Sequence, residues 1–420
     1  MNVLDHFFNI KPILKKEGIK LPKIKGPNGQ KITKDDLCKI FPCKLVEDEF
    51  NESEEQIPIP EELVNLFKKF RPTLLSRAYG LEKHFKTKFP IFYKREDLTL
   101  TGSHKINTAI VQAYYAKQDK VNLVTETGAG QWGTALAVAG SLIGIKVVAF
   151  MVRISYQQKP YRRIAMRFYG AKVIPSPSKK TEIGRSFLKS PNNRNGSLGI
   201  AISEAIEYVL KSEGRFKYAL GSVLDSVLLH QTIIGLETLE QLKGANYKVG
   251  AVIGCVGGGS NFAGFSLPIL AAKIKGRKHY KDTEFYAIEP EAVPTLTKGR
   301  YEYDYGDSGG LTPKLKMYTL GYKFVPDPIH AGGLRYHGMA PLISLLYRKR
   351  LIKAVSIKQK EAFDAAKLFA RVEGIIPAPE SSHAIAGAIR LIKKYKSLGE
   401  KKTIIFNLSG HGLLDLKAYE

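Results

Sequence analysis

The stretch Lys94-Arg-Glu-Asp-Leu-Thr-Leu-Thr-Gly-Ser-His-Lys-Ile-Asn107 decides how the rest of the chain is read. After Lys105, the residues Ile106, Ala109, Ile110 and Ala113 recur at the spacing of one helix face. Ser103 stands where an N-cap would accept from the first free N–H groups. That puts Lys105 in the first turn, at the positive end of the helix dipole. A structural ammonium is poorly placed there. An amine that must be neutral is well placed, because burial and a positive field both lower its pKa. A neutral amine is what condenses with an aldehyde. A surface lysine on an amphipathic helix is the simpler account of these residues alone, so the decision rests on the other motifs.

At 420 residues the chain is too long for one core, and two domains are expected. Its 44% hydrophobic and 25% charged residues are ordinary for a globular protein. The net charge of +26 admits nucleic acid, an anionic membrane surface or anionic small ligands. Yet the basic residues are scattered, with no basic arm, zinc-finger spacing or aromatic RNA-binding signature, so neither nucleic acid nor membrane is expected as a partner. Three cysteines, Cys38, Cys43 and Cys255, make no disulfide framework. The start Met-Asn-Val-Leu-Asp-His-Phe-Phe is no basic region followed by an apolar core. No run reaches the roughly 20 apolar residues of a membrane helix. A cytoplasmic, reduced protein is expected.

Residues 1–55 carry four prolines, a Gly-Pro-Asn-Gly turn and an acidic run, and read as an extension draped over the body. One short helix starts at Thr33, with Asp35 and Asp36 in its first turn. A helix over 60–70 follows. From residue 90 strands and helices alternate: strands over 91–93, 121–125, 145–152, 172–174, 249–255, 285–288 and 403–407. Helices fall over 134–142, 158–169, 199–212, 222–242, 357–372 and 381–396, with a loop-rich excursion at 176–196. Residues 293–355 show no clear periodicity. Such alternation predicts an α/β fold of mainly parallel sheets with helices on both faces. Ligands in such folds sit beyond the carboxyl ends of the strands.

Each informative loop lies at such an end. Glu126-Thr-Gly-Ala-Gly-Gln-Trp-Gly133 joins a strand to a helix, and its backbone N–H groups suit an anion such as a substrate carboxylate. Glu126, just before it, is placed for acid–base work. A plain tight turn explains the glycines equally well. Gly257-Gly-Gly-Ser-Asn261 lacks both the P-loop ending and the spaced glycines of a dinucleotide site. It suits a single phosphate held by N–H groups, a hydroxyl and an amide. Glu373-Gly-Ile-Ile-Pro-Ala-Pro-Glu-Ser-Ser-His383 reads, from Glu380 onward, as an ordinary helix start. Asn407-Leu-Ser-Gly-His-Gly412 puts the neutral hydroxyl of Ser409 at the end of the last strand. A reactive lysine, a phosphate nest, a carboxylate nest and that hydroxyl together describe pyridoxal phosphate chemistry, in which the cofactor is the electron sink.

With these motifs the chain resembles, over essentially its whole length, the tryptophan synthase β chains, fold-type II pyridoxal-phosphate enzymes, and most closely their longer class with an N-terminal extension. The resemblance implies two doubly wound, mainly parallel-sheet domains with the cofactor between them. These are 56–221, containing a mobile communication subdomain at about 119–206, and 222–420, with 71–103 crossing to the second domain. It implies pyridoxal phosphate covalently on Lys105, which also moves the α-proton. His104 and Gly257, Gly258, Gly259, Ser260 and Asn261 would hold the phosphate. Thr127, Gly128, Ala129, Gly130 and Gln131 would hold the amino-acid carboxylate. Glu126 would assist loss of the β-substituent and activate indole. Ser409 would face the pyridine nitrogen, a neutral partner that favours β-elimination and replacement over transamination. Asn107 and Glu373 would flank the ring and its 3-oxygen. The reaction implied is loss of the β-group from a serine-type donor to give aminoacrylate, then attack by indole C3. Indole would arrive through a hydrophobic channel from an α chain docked, stably or transiently, near residues 100–200. A homodimer and a monovalent cation with unassigned ligands are implied in the same way, and no other metal.

Two departures stand out. Trp132 occupies the place of a histidine in the shorter β chains. Arg335, in His330-Ala-Gly-Gly-Leu-Arg-Tyr-His-Gly338, stands where those chains carry an aspartate. An arginine suits bidentate phosphate binding, which suggests O-phosphoserine beside serine as donor and Arg335 as a contact to the β-substituent. Two other readings stay open at this point: a serine or threonine dehydratase on the same fold, and a non-catalytic basic binding protein.

Overall fold

The computed structural model describes residues 3–244 and 247–420, so the first two residues of the N-terminal segment lie outside it. Two sheets form the body. The smaller has the order Lys172–Ser176, Val147–Val152, Asn122–Thr127, Phe216–Ala219, all parallel. The larger has the order Lys353–Ile357, Glu284–Pro290, Val249–Cys255, Thr403–Leu408, Ile91–Arg95, Leu75–Arg77. Only the edge strand Leu75–Arg77 is antiparallel to its neighbour. The central strands Val147–Val152, Val249–Cys255 and Thr403–Leu408 are buried at every position. Continuous apolar runs of this kind are what a parallel sheet covered on both faces requires.

The chain therefore begins in the larger sheet, with Leu75–Arg77 and Ile91–Arg95, leaves it for the smaller one, and returns at Val249. Lys105 lies on the outward crossing. The strand Ile91–Arg95 pairs in register with Thr403–Leu408, Arg95 opposite Leu408, so the segment after one strand meets the segment after the other. A bridge between Ser103 and Gly410 and the 3.0 Å bond from His104 N–H to the Ser409 carbonyl continue that contact.

The N-terminal segment packs by a strand pair, His6–Phe8 against Gln56–Pro58, and by Phe7, Ile10, Leu14, Leu37 and Leu45, which join the main hydrophobic cluster. Thr33 caps the helix Lys34–Cys38 with a reciprocal box to Asp36, the local signal read in the sequence. The stretch 293–355, in which no period was legible, contains a hairpin, Arg300–Tyr305 with Lys314–Thr319, and the helix Pro341–Arg348. No helix of the described residues is long and apolar enough to cross a membrane.

One buried charge cluster ties the crossing together. Arg71 donates to Glu237 at 2.8 and 2.9 Å, to Glu96 at 3.0 Å and to the Asn107 side-chain oxygen at 2.7 Å. Lys94 donates to Glu237 at 2.7 Å, and all four charged side chains are fully buried. Two cations and two carboxylates balance. Removing one partner strands the rest, so Glu237→Ala is expected to cost about 3–5 kcal/mol of stability, read as a lowered denaturation midpoint.

Candidate active site

Gly102, at φ +65, lets the chain turn after the short Glu96–Leu98 helix. The long helix then runs Ile106–Gln118. Lys105 itself occupies the N-cap position, with helical backbone angles and no side-chain cap. The expected cap, Ser103, does not form: its hydroxyl is buried without a partner among the described residues. Ser103 is instead drawn into a bridge with Gly410 and donates its N–H to the Thr99 hydroxyl at 3.0 Å, two residues before the start of the helix at Lys105. Lys105 still sits at the positive end of the helix. Burial lowers its pKa, while Glu380, Cys255 and Glu126 pull it back up.

Lys105 and His104 line a cavity with Glu126, Thr127, Gly128, Ala129, Gln131 and Trp132, with Gly257 through Asn261, and with Ser409. The sheet topology explains the gathering: each group follows the carboxyl end of a parallel strand. Gly130 lies under this wall at φ +97, where an added Cβ would strike Arg162 at 2.7 Å. Trp132 donates its indole N–H to the Thr125 hydroxyl at 2.6 Å and stacks on Gly221, so it is a fixed wall. At Gly257 a Cβ would lie 2.6 Å from the Gly333 carbonyl, so the backbone of this loop is uncovered toward the cavity only because no side chain is there. Ser260 donates to the Gly221 carbonyl. Asn261 donates to the Cys255 carbonyl and accepts from Asn407 at 2.6 Å. Their side chains are thus held by protein groups, and the anion-binding capacity of the loop lies in its N–H groups at the start of the helix Ser260–Ile274.

Glu126 is 6% exposed, and burial pushes its pKa up to about 7. The Tyr218 hydroxyl donates to its Oε2, and both that bond and Lys105 act in the opposite direction. Ser409 Oγ lies 2.8 Å from Ser381 Oγ and 3.5 Å from Cys255 Sγ. His104 Nδ1 is 3.2 Å from the Ser409 carbonyl, and its Nε2 is a buried polar atom without a partner among the described residues.

Four expected residues do not line the cavity: Gly130, already placed behind it against Arg162, and three that are turned elsewhere. Glu373 ends the helix Gln359–Glu373 and accepts from the Leu81 N–H at 2.8 Å. Asn107 is committed to Arg71, Glu96 and Gln231, because it lies on the helix face turned to the buried charge cluster. Arg335 donates to the Ser155 hydroxyl at 2.7 Å and does not line the cavity, although its neighbours Gly332, Gly333, Leu334 and Tyr336 do. The residue that sequence reasoning missed is Glu380. It lines the cavity, accepts from Gln131 at 3.0 Å and from the Gly333 N–H at 2.8 Å, and so ties three loops together. Its position in the first turn of Pro379–Ser397 gave it the appearance of a helix-start residue.

A second, apolar cavity adjoins the first and shares Glu126, Leu198, Ser222 and Tyr336 with it. The pair can hold a polar, anionic group at one end and an apolar ring at the other. The residues present fit pyridoxal phosphate: an amine of lowered pKa, a backbone cradle for phosphate, an unsatisfied His104 Nε2 and a neutral hydroxyl at Ser409.

Comparison with known proteins agrees with this chemistry. The sequence profile of the family described as "Pyridoxal-phosphate dependent enzyme" matches residues 66–410. The chain is 55% identical over 401 residues to the tryptophan synthase beta chain of Pyrococcus horikoshii, covering 95% of this chain and 86% of that one. It is 56% identical over 399 residues to that of Pseudothermotoga lettingae, covering 95% and 92%. Among solved structures, a threonine deaminase isoform of Solanum lycopersicum matches with a TM-score of 0.61 at 18% identity, over 94% of this chain and 88% of that one, a likeness of fold alone.

Proposed function

The chain belongs to the pyridoxal-phosphate-dependent enzymes and, within them, to the tryptophan synthase β chains, and we propose that it makes L-tryptophan by β-replacement from indole and L-serine or O-phospho-L-serine. The observation that carries the proposal is the position of Glu126, which lines both the polar cavity of Lys105 and the adjoining apolar one. A dehydratase needs no second, apolar chamber at its acid–base group.

Pyridoxal phosphate, when bound, supplies the electron sink for the α-carbon. The protein does the rest. Lys105 holds the cofactor's aldehyde carbon and moves the proton at the α-carbon. His104 and the N–H groups of Gly257, Gly258, Gly259 and Ser260 hold the phosphate. Burial, and Lys105 beside it, hold the His104 pKa down to about 3, so with Nδ1–H turned to a carbonyl the ring is neutral and its bare Nε2 can accept from a protonated phosphate oxygen. The 127–131 loop holds the amino-acid carboxylate, with Gln131 fixed by Glu380. Glu126 delivers a proton to the departing β-oxygen and takes one from indole. Ser409, held by Ser381, offers the ring nitrogen a neutral partner. The apolar chamber admits indole and excludes water. The same reading gives a cytoplasmic homodimer that receives indole from an α chain.

The test is to incubate the holoenzyme with serine or O-phosphoserine, with and without indole, and to measure tryptophan and pyruvate. Tryptophan from either donor is expected, and the faster donor is the natural one. Pyruvate that is unaffected by indole, without tryptophan, overturns the proposal. Arg335 enters here through Ser155 rather than by direct contact. Arg335→Ala is expected to alter the two donors unequally if the 331–338 loop shapes the β-substituent's place.

A further inference from the structure

The N-terminal segment meets Glu126 through an intermediary, Tyr218. Leu37, Ile40, Phe41, Leu45 and Val46, all from this segment, form one wall of the apolar cavity. Tyr218 stands between that wall and Glu126. Its backbone N–H donates to the Ile40 carbonyl at 2.7 Å, and its ring lies 5.7 Å from that of Phe41. Its hydroxyl donates to Glu126 Oε2, and the side chain is 2% exposed. A buried hydroxyl that has a carboxylate as its acceptor holds that carboxylate in one orientation and stabilises its charged form.

We propose that Tyr218 is the positioning residue for Glu126, and that the N-terminal segment, through Ile40 and Phe41, seats Tyr218, so that this segment is a working part of the active site. The inference rests on the reading of Glu126 given above. Other groups face the same carboxyl: Lys105 at the start of its helix, which favours the charge, Tyr336 from the 331–338 loop and Thr125 on its own strand. Glu380 lines the polar cavity with it. Glu49 lines the apolar cavity but is bound by the Ser226 N–H and hydroxyl at 2.8 and 2.9 Å. Tyr218 donates its O–H to Oε2, while the Thr125 hydroxyl donates to the Ala219 carbonyl at 2.5 Å and to the Glu126 carbonyl at 3.2 Å.

Tyr218→Phe removes one oxygen from a packed ring and keeps the fold. The low-pH limb of kcat/KM for indole is expected to move up by about one pH unit, the size of a lost hydrogen bond to a charged acceptor. A loss of packing alone would scale the profile down without moving its limb. Phe41→Ala is expected to move the limb in the same direction by less. Tyr208→Phe, at a tyrosine that packs on Phe150 and Phe216, is expected to leave it in place. The direct readout is the protonated-carboxyl infrared band of Glu126, titrated in cofactor-free protein and identified by its loss in Glu126→Gln. Its midpoint should rise in Tyr218→Phe. A limb and a band that both stay put in Tyr218→Phe overturn the role of Tyr218. A shift in Tyr218→Phe with none in Phe41→Ala overturns the role of the segment. Absence of tryptophan formation by the parent enzyme, with the band behaving as expected, overturns the functional reading and leaves the positioning intact.

Discussion

Lys105→Ala is expected to lower tryptophan formation by about a thousandfold or more while the chain still folds. The loss has two parts. The variant has no amine to hold the cofactor's aldehyde carbon, and no group at that point to move the α-proton. Borohydride treatment of the holoenzyme followed by mass spectrometry should place the cofactor on the peptide containing Lys105, and should find none in the variant. A cofactor fixed to another lysine would sink the assignment. Stability should move the other way. The folded-state pKa of Lys105 is depressed by burial. Between that depressed value and the unfolded one near 10.5, the unfolded chain binds more protons, so stability rises with pH across the window. The variant loses this dependence, because folding no longer desolvates an ammonium. Denaturation midpoints of cofactor-free parent and variant at pH 7 and pH 10 should therefore converge as the pH rises.

The site was legible where chemistry forces unusual residues on the backbone. Three consecutive glycines after an apolar strand mark a loop that other groups approach closely, and in the structure a Cβ at Gly257 would lie 2.6 Å from the Gly333 carbonyl. The alternation of strands and helices gave the parallel sheets, because buried parallel strands carry unbroken apolar runs such as Val147–Val152. What was not legible depends on the partner of a side chain. Glu380 and Glu373 sit seven residues apart with the same chemistry. Only the three-dimensional path decides that Glu380 meets Gln131 and Gly333 while Glu373 turns to Leu81. Asn107 is expected beside the cofactor ring on the family resemblance alone, and it follows Lys105 by two residues. On a helix that spacing points to another face, and there it meets Arg71. The hairpin over 300–319 was missed for a different reason. Arg300–Tyr305 holds no aliphatic residue, and its pairing is an aromatic one, Tyr301 on Tyr318 at 5.2 Å. The 293–355 region also carries Arg335, whose contact with Ser155 joins the returning chain to the smaller unit.

Glu126→Gln is expected to lower tryptophan formation by about 10²–10⁴-fold, the range for removing a positioned acid–base group. Its pKa of about 7 leaves the carboxyl divided between both forms near neutral pH. That is the condition for giving a proton to a leaving oxygen and taking one from indole within one cycle. The parent's kcat/KM for indole should therefore fall on the acid side of about pH 7, and the variant should show no such limb. The same burial has a cost in stability. The folded value lies above the unfolded 4.5, so between pH 4.5 and 7 the unfolded chain releases a proton that the folded chain keeps. Stability thus falls as pH rises through this window; the penalty is absent below it and complete above it. Its size is about 3 kcal/mol at 1.36 kcal/mol per unit. Glutamine has the shape of the acid and no charge to desolvate. Glu126→Gln should then match the parent's denaturation midpoint near pH 4.5 and exceed it at pH 8. A variant less stable than the parent at pH 8 would mean that Tyr218 and Lys105 more than offset the burial of the carboxylate. An inactive but more stable variant would identify Glu126 as a residue kept for chemistry against the preference of the fold.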